Sequence, residues 1–142
     1  MAKTLTAERE LLITATDFDR LNHLVDSPRY RTSHAVLLTT LKGELDRGRV
    51  VASDDVPNGV VTMNSRVRVR DLRLDDTETY QLVYPEEADI SEGKLSVLAP
   101  LGIALLGTRV GHVVKFDAPG GTRRLKVEKV LYQPEAAGDF HL

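Results

Sequence analysis

The stretch Ser96-Val97-Leu98-Ala99-Pro100-Leu101-Gly102-Ile103-Ala104-Leu105-Leu106-Gly107 decides how this chain is read. Leu95 and Val97, two apart as in a strand, lead into Pro100, whose fixed φ and missing amide suit the first position of a helix. Gly107 suits the left-handed position that stops such a helix, which is therefore short. Leu101, Ala104 and Leu105 recur at helical spacing. One face of the turn then seals the end of a small sheet and leaves Ala99 and Pro100 at a surface corner. Val110-Gly111 and Pro119-Gly120-Gly121 follow, the second reading as a hairpin turn.

Working outward, the apolar period is two on both sides of this corner. Val67 and Val69 alternate with Arg66, Arg68 and Arg70, and Tyr80, Leu82 and Tyr84 repeat at the same spacing. Val113, Val114 and Phe116 precede the Pro-Gly-Gly turn, and Leu125, Val127, Val130 and Leu131 close the set. The spacing predicts a largely antiparallel sheet, with polar turns at Asp71–Asp76 and Pro85–Lys94. Before Gly48 the period is that of a helix. Thr14 and Asp17 have capping-box spacing, Thr16 being a competing cap, and Phe18, Leu21, Leu24 and Val25 form a stripe that Pro28 ends. A second helix is expected from about Ser33 to Arg47, burying Val36, Leu37, Leu38, Leu41 and Leu45 and stopping at Gly48. Residues 1–12 read as a tail. The expectation is an α+β chain: a tail and short antiparallel helical hairpin over residues 1–48, then a strand-rich domain with a short helix over residues 49–142.

Composition narrows the chemistry. In 142 residues, 19 basic groups face 21 acidic ones for a net charge of −2, which argues against binding to bulk or free nucleic acid. The absence of cysteine excludes disulfides, thiolate catalysis and cysteine-ligated metals. The polar start and the lack of a long apolar run predict a cytoplasmic protein without membrane contact. His23, His34, His112 and His141 lack metal-ligand spacing, and no nucleophile elbow or phosphate loop is present, so neither metal nor cofactor is expected. Asp54-Asp55 and Asp75-Asp76 read as solubilising turn residues. Arg66, Arg68 and Arg70 read as one solvated strand face.

The Ser96–Gly107 segment with its Pro-Gly-Gly hairpin resembles the C-terminal signature of the bacterial Gre transcript-cleavage factors. Val61-Thr62-Met63-Asn64-Ser65-Arg66-Val67, Leu82-Val83-Tyr84-Pro85 and Tyr132-Gln133-Pro134-Glu135-Ala136-Ala137-Gly138-Asp139 resemble one branch of that family, the regulators of nucleoside diphosphate kinase (Rnk). The resemblance implies an FKBP-like antiparallel sheet domain behind a coiled-coil hairpin. Its implied partner is bacterial RNA polymerase, docked at the secondary-channel rim through Leu98, Ala99, Pro100 and Leu101, with an indirect link to nucleoside diphosphate kinase. The implied hairpin tip is Asp26, Arg29, Tyr30 and Arg31.

Gre factors hold a catalytic magnesium with acidic residues at the tip of a long hairpin, and such a hard cation needs more than one carboxylate. This tip offers Asp26 among arginines, and a helix of roughly 15 residues reaches only about 22 Å. A non-enzymatic regulator that competes with Gre factors is therefore expected, with two alternatives: a Gre-like cleavage factor and an FKBP-type prolyl isomerase. The isomerase pocket requires clustered aromatics including a tryptophan, and this chain has no Trp and spreads 4 Tyr and 3 Phe along its length.

Overall fold

The computed structural model describes residues 11–142. The expected tail lies outside the described residues as far as residue 10, and its last two positions behave otherwise. Leu11 and Leu12 are buried, and strand β1 (Leu12–Thr14) pairs in parallel with β2 (Arg49–Val51). The run Leu11-Leu12-Ile13 is apolar at every position, so burying it gains enough to order the chain there. The Leu12 amide donates to the Gly107 carbonyl at 3.1 Å, joining this start to the end of the signature helix.

Helix α1 (Ala15–Val25) is capped by Thr14, whose Oγ1 accepts from the Asp17 amide at 3.1 Å, while the Asp17 carboxylate accepts from the Met63 amide rather than closing the box. Thr16, the competing cap, shares a hydrogen bond with Ser53 instead. A short turn at Pro28–Tyr30 leads to α2 (Ala35–Arg47), which buries Leu38, Leu41 and Leu45. Val36, expected on that face, is 78% exposed. At 100° per residue it lies about 200° around the axis from Leu38. Gly48 does end α2, but in extended backbone with φ −74°. A Cβ there would stand 2.5 Å from Ile13 Cδ1, so a larger residue would need the Ile13 side chain to shift.

Five strands, β3 (Arg66–Asp71), β4 (Thr77–Val83), β5 (Lys94–Ser96), β6 (Val113–Ala118) and β7 (Gly121–Tyr132), form one sheet in the order β5-β4-β3-β7-β6. All its pairs are antiparallel except β4 with β5. Ala118 pairs with Gly121, so Pro119 and Gly120 make the two-residue turn, with Gly120 at φ +92°. The register between β3 and β7 shifts twice, passing over Glu128 and Leu131. These bulges break the period of two: Leu125 and Val127 are buried, Val130 is half-buried, and Leu131 is exposed rather than inward. The core is continuous across position 48, with Leu21, Leu41 and Leu45 of the hairpin in one cluster with Val61, Met63, Leu82, Leu98 and Leu105. Among the described residues, no helix is long and apolar enough to cross a membrane.

Helix α3 (Pro100–Leu105) starts on Pro100, and Gly107 follows at φ +80°, as its spacing predicts. The helix presses its backbone onto the end of β5. A Cβ on Gly102 would lie 2.1 Å from the Ser96 carbonyl oxygen, a backbone atom that has nowhere to go. Gly102→Ala is expected to cost about 2–3 kcal/mol in urea denaturation. Gly43→Ala, inside α2 with nothing within 4 Å of its Cβ, is expected to gain about 0.5–1 kcal/mol. Equal effects of the two changes would contradict the close approach.

Candidate functional site

The corner at the start of α3 is held rigidly. The Leu98 amide donates to Ser96 Oγ at 3.0 Å, the Ala99 amide to the Ser96 carbonyl at 3.0 Å, and the Ile103 amide to the Ala99 carbonyl at 3.0 Å. Of the four residues expected to dock a partner, Leu98 and Leu101 are 2% and 5% exposed and belong to the core. Ala99 is half-buried and Pro100 exposed, so these two present the surface while the leucines fix it from beneath. Sequence spacing marks Leu101 as inward through its partner Leu105, but Leu98 precedes the helix and carries no such signal.

At the hairpin tip, Asp26, Arg29 and Arg31 are exposed and Tyr30 is half-buried against the core. Ser27 Oγ accepts from the Arg29 amide at 3.3 Å and starts the turn. The Arg29 guanidinium sits 5.4 Å from the centre of the Tyr30 ring, whose edge relation to His34 has a centroid distance of 5.5 Å. Among the described residues there is no group of three or more side chains placed to hold a metal. Arg29 and Tyr30 line one wall of a cleft of about 830 Å³, whose other walls include Arg20, Asn64, Tyr84 and His141. Sequence reasoning missed this cleft because its walls come from four stretches far apart along the chain.

Beneath the cleft, the hairpin joins the sheet through a buried carboxylate. Asp17, 2% exposed, accepts from the Met63 amide at 3.0 Å through Oδ2. Burial pushes its carboxyl up to about 6, the Met63 hydrogen bond opposes that, and the charge of Glu135 adds to it. Glu135, on helix α4 (Pro134–Ala137), accepts from Thr62 Oγ1 at 2.7 Å, and the Thr62 amide donates to Ser65 Oγ at 2.9 Å. Gln133 Nε2 donates to the Pro57 and Val60 carbonyls, both at 2.8 Å. The motifs Val61–Val67 and Tyr132–Asp139, far apart in sequence, thus form one polar joint under α1.

The arginine face of β3 is tied into the sheet. Arg68 and Arg70 both pair with the bulge residue Glu128, at 2.9 and 2.6 Å, while Arg66 remains exposed. At the other end of the strand, Asp71 is held down to about 2 by hydrogen bonds from the Leu74 amide, from Arg123 and from the Arg73 amide. Asp71 therefore secures the β3–β4 turn. Asp54, Asp55, Asp75 and Asp76 are exposed, as expected of turn residues.

With this geometry in view, the comparisons with known proteins agree. Residues 56–132 match the family model for the C-terminal part of transcription elongation factor GreA/GreB, and residues 9–51 match the Rnk N-terminus. The regulator of nucleoside diphosphate kinase from Escherichia coli K12 is 41% identical over 133 residues, covering 93% of this chain and 96% of the relative. Transcription elongation factor GreA from Methylococcus capsulatus is 40% identical over 76 residues, covering 54% of this chain and 48% of that protein. A solved GreA/GreB elongation factor from Nitrosomonas europaea superposes with a TM-score of 0.72 at 35% identity, covering 87% of this chain and all of that one. The chain belongs to the GreA/GreB family of transcription elongation factors, in the branch that carries the Rnk N-terminus.

The raised carboxyl of Asp17 sets a pH dependence. Because its folded value of about 6 lies above the ordinary 3.8, the native state holds the proton more tightly than the unfolded chain. Its favourable contribution is complete below pH ~4 and is lost as pH rises through ~6, a change on the order of 3 kcal/mol. Asn at this position still accepts from Met63 without a charge. Asp17→Asn is thus expected to raise the urea midpoint relative to the parent at pH 7.5 and to change it little at pH 4. An equal difference at both pH values would show that the carboxylate is not the titrating group.

Proposed function

We propose that this protein is a non-enzymatic regulator that binds bacterial RNA polymerase at the rim of its secondary channel. In this reading the Ala99-Pro100 corner docks against the polymerase, and the short hairpin sits at the channel entrance, where it competes with longer Gre factors. Family membership supports the partner, and the exposed Pro100 on a backbone fixed by Ser96 is the observation that carries the docking site. The E. coli relative is named a regulator of nucleoside diphosphate kinase. For this chain we take the corresponding effect to be indirect, through transcription, which also places the protein in the cytoplasm. The sheet with α3 against it fits the FKBP-like layout, and the paired helices fit a short coiled coil. Fold and activity are separable, and the missing tryptophan speaks against prolyl isomerisation.

Competition between this protein and a labelled Gre factor for core polymerase tests the reading. Displacement is expected, and a Gre factor that stays bound in excess protein would refute it. Pro100→Asp is expected to weaken polymerase binding about tenfold or more, since a carboxylate buried at an apolar contact is costly. An acidic residue in the first turn suits the helix, so folding should survive the change. Unchanged affinity would move the docking surface elsewhere.

Transcript cleavage is not expected. The tip carries one carboxylate among arginines, and α2, with 13 residues, spans about 20 Å. In a backtracked complex the protein should add no cleavage above a factor-free control. Arg29→Asp with Arg31→Glu should add none either, because reach as well as charge is limiting. Cleavage by the unmodified protein, suppressed by Asp26→Asn, would instead establish a Gre-like cleavage factor.

A further inference from the structure

We propose that the cleft between the hairpin tip and the end of the sheet is a binding site for a small phosphate-bearing molecule. Six side chains on its walls carry the argument: Arg20, His23, Arg29, Asn64, Tyr84 and His141. Among the described residues, neither Arg20 nor Arg29 has a carboxylate within ion-pairing distance, whereas Arg68, Arg70 and Arg123 all do. Arg29 is steadied over the Tyr30 ring, which leaves its guanidinium edge available. The Tyr84 hydroxyl is shut off from solvent with Arg20 beside it, close enough to interact with it although no well-aligned hydrogen bond joins the two. His23 donates Nδ1–H to the Asp19 carbonyl at 2.9 Å, which fixes the ring in the cleft wall. Asn64 is a non-glycine residue at φ +69°, held by its amide on the Leu82 carbonyl at 2.6 Å.

Two guanidinium groups on one cleft without a carboxylate partner call for an anion with several acceptor oxygens. A carboxylate offers two oxygens in one plane, whereas a phosphate offers three or more pointing to different walls. Glu86 and Glu87 also line the cleft. Their carboxylates provide acceptors for hydroxyl groups on the rest of the ligand. The hairpin and the sheet domain contribute opposite walls, so a bound anion would bridge them. This site is independent of polymerase docking and is tested without polymerase.

Pyrophosphate is the probe, titrated into the full chain by calorimetry and by amide chemical shifts. Saturable binding is expected, with shifts centred on Arg29, Asn64 and Tyr84. Arg20→Gln and Arg29→Gln should each weaken it about tenfold or more, given two charge-assisted hydrogen bonds lost per arginine. Both positions are exposed, so folding is not at stake. Arg73→Gln with Arg124→Gln, beside the separate hollow between the β3–β4 turn and the Pro119-Gly120 hairpin, serves as the control and should leave affinity within about twofold. Absence of saturable binding, or equal weakening by the control pair, would overturn the assignment. A short unphosphorylated single-stranded RNA that binds through Arg20 and Arg29 when pyrophosphate does not would also overturn it, in favour of a nucleic-acid backbone.

Discussion

The carboxylate of Asp17, buried and bonded to the Met63 amide, fixes where the helical hairpin sits on the sheet. A buried charge is tolerated only where donors reach it, and here one donor comes from its own capping turn and another from the turn before β3. Around that bond the leucines of α1 and α2 join the apolar side chains of the sheet in one core. The hairpin is therefore anchored along its base, and its tip lies over a cleft shared with Tyr84 rather than standing clear.

That seating bears on how this branch of the family works. A tip with Arg29 over Tyr30, and Tyr30 against the core, is shaped by packing, so its charges are set by its own neighbours before any partner arrives. The Pro100 corner is shaped in the same way. Leu98 and Leu101 give their surface to the interior, and what remains outside is Ala99 and Pro100 on a backbone that Ser96 holds in place. Tyr84 of the cleft follows β4 and the Pro100 corner follows β5, the strand paired in parallel with it.

Much of the fold was legible in local chemistry. Thr14 and Asp17 cap α1, Pro100 opens α3, Gly107 takes the left-handed position that closes it, and the Pro119-Gly120 turn joins β6 to β7. Each of these depends on a few neighbouring residues. The misreadings arose where a distant contact decides. Leu131 faces outward because β7 bulges, and Leu11 and Leu12 are interior because β2 and Gly107 receive them.

The candidate site divides along the same line. The sequence alone determined the proline-started corner, the carboxylate-poor tip and the family, since spacing, residue type and motif are local properties of a chain. Only the tertiary structure decided that Leu98 belongs to the core, that Glu128 answers Arg68 and Arg70, that Thr62 and Glu135 close a joint over Asp17, and that Arg20, Arg29 and Tyr84 share a cleft. Those relations join residues tens of positions apart, and burial, charge pairing and shared walls exist only once the hairpin has been laid on the sheet.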